Sequence, residues 1–323
     1  MKDYKYDVVA LGELLIDFTE NGISEQGNPI MEANPGGAPC NLLAMVQKLG
    51  HKTIFIGKVG KDLFGEQLKA TLTEVGIDTK GLLTDEEVRT TLAFVHTIEG
   101  GEREFSFYRN PGADMMLRPE EIEEAWIAQA RIFHFGTLSM THERCRQATK
   151  KALEIAKANQ CIISFDPNLR EPLWDSLDEA KAQVLYGLGM CDVLKISDNE
   201  IQWLTGEEDY ERGVAWIKQR FDIPLILVSL GREGSMAYSK SSFAQVPAFI
   251  QEETIETTGA GDTFGGCILH FVLKYGLKDY LADELMEMLT FANAAASIVT
   301  TRKGALRVMP EVEEVLRVMK LIG

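Results

Sequence analysis

The sequence lacks the signatures of several protein classes. Its five cysteines are odd in number and widely spaced, with no Cys-x-x-Cys, so neither a zinc ribbon nor a disulfide framework is indicated. The five histidines form no His-Glu-x-x-His or His-x-His pair, and Gly-x-Ser-x-Gly is absent. Metallohydrolase and serine hydrolase chemistry therefore have no support. A Walker A sequence is absent as well, which excludes a P-loop nucleotide site.

Long apolar segments and positive charge are also scarce. The longest apolar runs, such as 224–230, are strand-sized and far too short to span a bilayer, and the chain start lacks a signal h-region. Lys and Arg total 33 against 49 Asp and Glu, a formal net charge of −16. This balance argues against nucleic acid and anionic membranes as partners. We expect a cytoplasmic protein with reduced thiols, which must hold any phosphate with backbone amides, a metal ion and a few placed Lys or Arg.

Strand-like and helix-like segments alternate along the chain. Helical patterns occur at 141–159 and 207–220, for example. Six short β-branched runs have the length and composition of strands: 6–12, 53–60, 131–136, 161–166, 192–197 and 224–229. The alternation predicts a single α/β domain over residues 1–323, with a mostly parallel central sheet flanked by helices on both faces. Length alone would allow two domains, but large α/β folds often run this long as one.

Two segments, approximately 13–35 and 90–110, interrupt this alternation. They show two-residue periodicity and many loop residues but no helical period, and the second predicts a hairpin around Glu99-Gly100-Gly101-Glu102. We expect their strands to form a small separate β-sheet, which acts as a lid over a site. The edges of this lid are the surfaces on which we expect a homodimer to form.

Polar side chains follow several of the predicted strands. Asp17 lies shortly after the first strand, and Asp166, Ser197 and Ser229 end later ones. Ligands of open parallel sheets bind beyond the carboxyl ends of the strands. These residues are therefore expected to converge on one edge of the sheet.

The stretch TTGAGDTFGG, residues 257–266, precedes a helical pattern and so lies at a helix N-terminus. Free amides and the helix dipole favour an anion there. By itself the stretch favours a capping role for Asp262, because Asp is a preferred N-cap residue. In the alternative interpretation, the amides of 259–261 receive a transferring phosphoryl group and Asp262 orients the attacking hydroxyl. Gly265 and Gly266 each cost roughly 0.5–1 kcal/mol within a helix, which indicates tight packing or ligand approach.

Nine motifs along nearly the whole chain resemble, in order, those of the ribokinase-like (PfkB-type) carbohydrate kinases, and above all of the family's bacterial and plant fructokinases. They are ALGELLIDF (10–18), PGGAPCN (35–41), GKVGKDLFGEQL (57–68), FYRNPGADMML (107–117), DPNLR (166–170), LKISDNE (194–200), VSLGREGS (228–235), TTGAGDTFGG (257–266) and FANAAASIVTTRKGA (291–305). The resemblance implies the ribokinase-like α/β fold with a β lid and MgATP as phosphoryl donor. It further implies phosphorylation of a sugar CH2OH, here the C6 hydroxyl of D-fructose.

The resemblance also implies roles for individual residues. Asp262 is the expected base, and the amides of Gly259, Ala260 and Gly261 form the expected anion hole. The candidates for contacting the sugar or its phosphate are Asp17, Gly36, Gly37, Asn41, Arg109 and Arg170. The alternatives are a solvated loop acid for Asp17, a first-turn helix residue for Asn41 and surface ion pairs for both arginines.

The expected nucleotide-binding residues are Lys195, Ser197, Ser229, Gly231, Gly234 and Asn293. Glu200 is expected to arrange Mg²⁺ through water, because Mg²⁺ dehydrates reluctantly; its alternative is an exposed helix position. Glu256, Thr258 and Gly304 are expected at a monovalent cation site, such as a K⁺ site. Many relatives carry Asp where Glu256 stands, and some ribokinases offer a hydroxyl at the position of Val308.

Two other functions compete with fructose phosphorylation. The first is another kinase of the same family, acting on 2-keto-3-deoxygluconate, ribose or a nucleoside. A nucleoside kinase would use aromatic lid residues, for which Phe105, Phe107 and Tyr108 are available, although the sequence RNPGAD argues against it. The second is a non-catalytic sensor of sugar or nucleotide, which predicts loss of the base or of the anion hole; both remain.

Overall fold

The computed structural model describes residues 4–97 and 103–320, and its strands and helices alternate as predicted. The strands are β1 (Tyr6–Leu11), β2 (Leu15–Ile23), β3 (Pro29–Gly36), β4 (Thr53–Gly60), β5 (Asp78–Asp85), β6 (Leu92–Thr97), β7 (Arg103–Tyr108), β8 (Ala130–Gly136), β9 (Ile162–Asp166), β10 (Val193–Ser197), β11 (Leu225–Ser229), β12 (Ser235–Tyr238) and β13 (Phe243–Val246). The helices are α1 (Ala38–Lys48), α2 (Leu63–Glu74), α3 (Glu124–Ala128), α4 (Glu143–Ala158), α5 (Leu177–Leu188), α6 (Asp198–Thr205), α7 (Tyr210–Lys218), α8 (Ala260–Tyr275), α9 (Ala282–Val299) and α10 (Val312–Lys320).

In the described part of the chain, nine strands form the main sheet in the order β13-β12-β11-β10-β9-β8-β1-β4-β5. The pairs from β11 to β5 are parallel, and only β12 and β13 add antiparallel pairs at one edge. Strands β9, β10 and β11 therefore end side by side at the carboxyl edge of the sheet.

Both faces of the main sheet are buried. Successive side chains of a strand point to opposite faces, and in β1 Val8 and Ala10 join one hydrophobic cluster whereas Val9 and Leu11 join the other. The first cluster is built mainly with α1, α8 and α9, and the second mainly with α4 to α7. A parallel sheet buried on both faces reads as a near-continuous apolar run, which is the pattern that made these strands recognisable.

A second sheet, β3-β2-β6-β7, lies outside the main one. Strand β6 pairs antiparallel with β7, as a hairpin requires; the predicted turn at 99–102 lies outside the described residues. Phe18 of β2 packs edge-on against Phe64 of α2, with ring centroids 5.7 Å apart, which attaches this sheet to the core. The predicted fold class is thus confirmed, whereas the lid boundaries and the assignment of the chain to one domain stay predictions.

Two further observations bear on the class of protein. No helix in the described residues is long and apolar enough to cross a membrane. All five cysteines are buried free thiols, as expected for a chain without a disulfide framework.

Candidate active site

The N-terminus of α8 is a turn with two unpaired amides. Gly259 has φ 77°, a left-handed conformation that favours glycine, and a Cβ there would come within 2.8 Å of the Ala305 Cβ. The amide of Ala260 donates to the Thr257 carbonyl at 3.2 Å. The amides of Gly259 and Gly261 have no hydrogen-bond partner among the described residues. The turn is therefore able to bind an anion through these two amides and the helix dipole, with Ala260 already engaged.

Asp262 does not cap its own helix. It is the third residue of α8, the N-cap residue is Gly259, and the helix has no side-chain cap. Its Oδ2 instead accepts a hydrogen bond from Asn41 Nδ2 of α1, at 2.8 Å. The capping role that the decapeptide alone favours is therefore wrong, because the carboxylate is turned away from its helix toward a different element.

A cavity of about 330 Å³, the acidic cavity, opens in front of this carboxylate. The second sheet supplies one wall: Leu15, Asp17 and Thr19 alternate along β2 toward the cavity, whereas Phe18 between them faces α2. Its acidic side chains are Glu13, Asp17, Glu256 and Asp262, and its cationic side chains are Arg170 and Lys195. Such a surface offers many hydrogen-bond acceptors and a few donors, which suits a ligand with several hydroxyl groups.

Burial raises the pKa of two carboxyl groups that line the acidic cavity. It raises the pKa of Asp17 from 3.8 to about 7, with Arg170 opposing the shift. Burial also raises the pKa of Asp262, and the Asn41 hydrogen bond, Lys195 and Arg170 oppose that shift. A carboxylate whose pKa lies above its usual range is a better proton acceptor than an exposed one.

The turn before α1 shapes the opposite wall. Gly37 has φ 133°, and a Cβ there would lie 2.4 Å from the Glu13 carbonyl. A Cβ at Gly36 would lie 2.5 Å from Asp17 Oδ2. Glu13 Oε1 accepts from the amide of Ala38 at 2.9 Å, which fixes the start of α1 and so places Asn41 opposite Asp262. The structure thus brings together Asp17, Gly36, Gly37 and Asn41, as predicted from the sequence.

A second cavity of about 390 Å³, the apolar cavity, lies on the other side of the turn. It includes Ser197, Ser229, Gly231, Gly234 and Asn293, all predicted nucleotide-site residues. Phe249, Ile250 and Phe264 give it an apolar wall. Thr257 and Gly261 line both cavities. The turn is therefore the place where a ligand in one cavity meets a ligand in the other.

Asn293 lines the apolar cavity, and its side-chain amide is bonded to protein groups. Its Oδ1 accepts from Ser235 Oγ at 2.8 Å, and its Nδ2 donates to the carbonyls of Val246 and Pro247. Both ends of the amide are thus occupied by protein groups. Asn293 holds α9 against β12 and the end of β13. Its contribution to the apolar cavity is therefore to the shape of the wall, and its packing role is compatible with a nucleotide bound beside it.

Lys195 lines the acidic cavity, and Glu200 is bonded to Ser197 of the apolar cavity. Lys195 Nζ is 2.9 Å from Asp166 Oδ2; the Asp166 side chain is buried and that of Lys195 is mostly so. Glu200 Oε2 accepts from the amide and the hydroxyl of Ser197, and its Oε1 accepts from the Leu169 amide at 2.7 Å. Glu200 is consequently a half-buried capping residue of α6, not the freely exposed helix residue of the alternative interpretation.

Arg109 is the clearest correction to the sequence analysis. Its guanidinium donates to Asp114 Oδ2, Thr141 Oγ1 and the Leu138 carbonyl, and its side chain is 2 % exposed. It does not line the acidic cavity. The prediction that it contacts substrate is wrong, as is its alternative of a surface ion pair, because its charge is already neutralised in the core. Arg170, by contrast, lines the cavity, and its Nη1 donates to the Leu169 carbonyl.

Glu256 and Gly304 are brought into contact. Glu256 Oε1 accepts from the Gly304 amide at 2.6 Å, and both residues line the acidic cavity together with Thr258. This contact joins the segment before α8 to the segment after α9. The three residues predicted for the monovalent cation site are thus neighbours around one end of the cavity.

Several lining residues were missed by sequence reasoning, among them Glu13, Thr19 and Asn34. Glu13 lies two residues after the end of β1, so the rule of strand carboxyl ends that selected Asp17 could have selected it. Thr19 and Asn34 lie on paired strands, and Asn34 Nδ2 donates to Thr19 Oγ1 at 2.9 Å. No sequence signal marked these two, because their convergence depends on the register between β2 and β3.

An acidic cavity and an apolar cavity meet at a helix N-terminus, with a carboxylate beside the junction, which is the geometry that transfer of a phosphoryl group to an alcohol requires. The model of the pfkB family carbohydrate kinases matches residues 5–312 of this sequence. The chain belongs to the pfkB family of carbohydrate kinases.

Relatives and solved structures agree with this family. A probable fructokinase-2 from Arabidopsis thaliana is 41% identical over 321 residues, covering 99% of this chain and 97% of that protein. A fructokinase-1 from Zea mays is 42% identical over 315 residues, covering 97% of each. The structure of a fructokinase with bound ATP from Xylella fastidiosa has a TM-score of 0.89 and 30% identity, covering 100% of this chain and 99% of that one.

Further solved structures of this fold contain ligands. A fructokinase from Vibrio cholerae, described with fructose, ADP and a calcium ion, has a TM-score of 0.87 and 31% identity, covering 97% of this chain and 99% of that one. A double mutant of it is described with a potassium ion. An E. coli protein, 27% identical with a TM-score of 0.86, is described in complex with ATP and Mg²⁺.

Proposed function

We propose that this protein is an ATP-dependent fructokinase, which transfers the γ-phosphoryl group of ATP to the C6 hydroxyl of D-fructose. One observation supports this function above all: the acidic and apolar cavities share Thr257 and Gly261, with Asp262 on the acidic side. The fructokinase relatives at 41–42% identity name the sugar. Fructose then occupies the acidic cavity and the nucleotide the apolar cavity.

In the proposed mechanism, the chain positions the reactants and takes up one proton. Asp17 and Asn41 hold the sugar through its hydroxyl groups, and Asp262 accepts the proton of the attacking C6 hydroxyl late in the transfer. The transition state of phosphoryl transfer is loose, so orientation by Asp262 contributes more than its basicity. The amides of Gly259 and Gly261 donate to the transferring group, and Arg170 and Lys195 offset its negative charge.

Mg²⁺ fits this site as an ion held mainly by phosphates and water. The described residues contain no group of three or more acidic, His or Cys side chains that could cage a metal. Glu200 already accepts from three protein donors, so its remaining acceptor capacity suits a water ligand of the ion rather than the ion itself. The ion, bound together with ATP, would neutralise part of the charge on the phosphates.

We propose the monovalent cation site at Glu256, Thr258 and Gly304. One Glu256 oxygen is held by the Gly304 amide, which leaves the other available to a cation such as K⁺. The site lies directly before the α8 turn, so a bound cation would hold the turn in the conformation that receives the phosphoryl group. Kinetics in K⁺ against tetramethylammonium chloride test this part of the proposal, with activation by K⁺ as the expected result.

We further propose that the protein acts in the cytoplasm as a homodimer formed through the second sheet, which acts as the lid of the acidic cavity. Free cysteines are typical of a reducing compartment. Three large side chains of this sheet are exposed: Ile23 of β2 (66 %), Ile30 of β3 (45 %) and Tyr108 of β7 (67 %). Large apolar side chains exposed on one small sheet are typical of an interface.

A coupled assay of ADP release tests the proposed substrate. We expect the highest kcat/KM for fructose among fructose, ribose, adenosine and 2-keto-3-deoxygluconate, and no release without an acceptor. The position of the new phosphate is read by NMR of the product. A higher kcat/KM for one of the other acceptors would assign a different kinase of the family. Micromolar sugar binding without turnover would favour the sensor.

A further inference from the structure

A buried ion pair joins the ends of two neighbouring strands beside the α8 turn. Asp166 ends β9, and Lys195 lies one residue beyond Leu194, which pairs with Phe165 in the parallel register. The two side chains are therefore cross-strand neighbours, with Lys195 Nζ 2.9 Å from Asp166 Oδ2. The Lys195 side chain is 13 % exposed and that of Asp166 is 8 % exposed. Of the two, only Lys195 has a role in the mechanism proposed above.

The ammonium of Lys195 lies directly against the turn. A Cβ added to Gly261 would be 3.3 Å from Lys195 Nζ. Asp166, Glu200 and Asp262 all attract this charge. Within 4 Å, however, Asp166 is its sole ion-pair partner among the described residues. Three carboxylates therefore compete for the Lys195 ammonium, and in this structure it is paired with Asp166.

The choice matters because Asp262 is one of the competitors. An ammonium on Asp262 would neutralise the proposed base and occupy the space of the attacking hydroxyl. On Asp166 the same ammonium stays beside Gly261, where it faces the transferring group. Because Lys195 Nζ is 2.9 Å from Asp166 Oδ2, Asp166 determines where the ammonium lies.

Asp166 depends on Lys195 in return. Its Oδ1 is buried with no hydrogen-bond partner among the described residues, and the residue is 6 % exposed. A buried carboxylate is unfavourable unless it is paired. Lys195 is the cation that compensates this burial. The two residues therefore act as one unit.

We propose that Asp166 is a positioning residue, which holds the Lys195 ammonium beside Gly261 and away from Asp262. The inference rests on the proposed function, because it needs a phosphoryl group that passes the turn. Asp166 exchanges no proton and forms no bond with a reactant. It acts only through Lys195.

A double-mutant cycle tests this dependence. Asp166→Asn keeps the shape of the side chain and removes its charge; we expect kcat to fall about 10²-fold, as for a misplacement of roughly 1 Å, with the KM for fructose nearly unchanged. Lys195→Met should lower kcat about 10²- to 10³-fold, as for loss of a charge-stabilising donor. The double variant should match Lys195→Met alone.

The control variant is Asp192→Asn. It removes a half-buried carboxylate that accepts a hydrogen bond from the Ile163 amide at the other end of β10, and it should keep the wild-type kcat.

Two results would overturn the inference: a wild-type kcat in Asp166→Asn, or effects of the two substitutions that multiply in the double variant. Wild-type protein without ATP-dependent fructose phosphorylation would instead defeat the proposed function. If Asp166→Asn does not fold, a crystal structure of the wild type with an ATP analogue decides. Lys195 Nζ between Asp166 and the γ-phosphate supports the inference, and Lys195 bonded to Asp262 contradicts it.

Discussion

At the scale of single residues, the hydrogen-bond partner of each charged side chain determines its role in the site. Asp262 bonds Asn41 across two helices, Arg109 is paired inside the core, and Glu200 caps its own helix. All three are charged residues within recognisable motifs, yet only the first points at the acidic cavity. A motif predicts that a residue matters to the protein. Its hydrogen-bond partners show whether it faces a ligand site or holds the fold together.

Asp262→Asn should remove catalysis while leaving the nucleotide site intact. We expect kcat to fall about 10²- to 10⁴-fold, the usual cost of losing a general base, with the KM for ATP nearly unchanged. Steady-state kinetics give both numbers, and thermal unfolding checks the fold. The control is Asp178→Asn, an exposed acid in the first turn of α5, which should keep full activity. Wild-type turnover in Asp262→Asn would remove Asp262 from the mechanism.

Asp17→Asn should change how stability depends on pH. Because burial raises the pKa of Asp17 to about 7, its contribution to the free energy of unfolding is full below the ordinary pKa of 3.8 and is lost as pH rises through 7. Asn cannot ionise and keeps that contribution. We expect the variant to exceed the wild type by about 1–3 kcal/mol at pH 8, allowing for partial exposure, and to equal it near pH 4.

Urea unfolding of both proteins at the two pH values measures this difference. Glu13 and Asp166 also have raised pKa values, of about 7 and about 6, but they are present in both proteins and cancel. A difference that does not vary with pH would show that Asp17 ionises freely in the folded protein.

At the scale of elements, the sequence predicted most of what positions the site. Strands buried on both faces read as apolar runs, and the helix after TTGAGD was visible in its apolar spacing. What could not be predicted were contacts that depend on register or on packing between elements. Asn34 reaches Thr19 only through the register of β2 with β3, and Asn41 reaches Asp262 only through the packing of α1 on α8. The residues next to Asn34 and Asn41 in the sequence give no indication of either contact.

The packing of α1 on α8 depends on the glycines that seemed costly in the sequence. A Cβ at Gly266 would lie 2.8 Å from Met45 Cβ and 2.9 Å from the Leu42 carbonyl, so Gly266→Ala must separate the helices. We expect a loss of about 1–3 kcal/mol in the free energy of unfolding, as for other overpacked cores. We also expect lower kcat, because Asn41 moves away from Asp262.

Denaturant unfolding and steady-state kinetics measure both effects. Gly189→Ala is the matched control: Gly189 has φ −72°, and its Cβ would meet only ordinary contacts of 3.5 Å or more. It should leave stability equal or slightly higher. Equal stability in the two variants would show that the helices can adjust without cost.

At the scale of the whole molecule, two sheets serve two purposes. The main sheet is buried on both faces and fixes the turn, Lys195 and the apolar cavity. The second sheet contributes Asp17 and Thr19 to the acidic cavity while attached to the core at Phe18 and Phe64. In a chain with a net charge of −16, the acidic cavity combines the backbone amides of the turn with two cationic side chains, Arg170 and Lys195.

The proposed homodimer gives a prediction at this scale. Light scattering coupled to size exclusion should give about twice the chain mass of 36.0 kDa. The double variant Ile23→Asp, Ile30→Asp places charge on the second sheet and should give monomers, since an unpaired charge in an apolar interface is unfavourable. Exposed Leu63 of α2, changed to Asp, is the control. A wild-type monomer would contradict the proposal.

The central claim is that the phosphoryl group crosses from the apolar to the acidic cavity over the α8 turn, toward a hydroxyl aimed by Asp262. A crystal structure with D-fructose and a non-hydrolysable ATP analogue tests it most directly. The account predicts the C6 hydroxyl within about 3 Å of the Asp262 carboxylate, and the γ-phosphate on the amides of Gly259 and Gly261. A sugar bound with no hydroxyl near Asp262, or phosphates bound away from these amides, would contradict it.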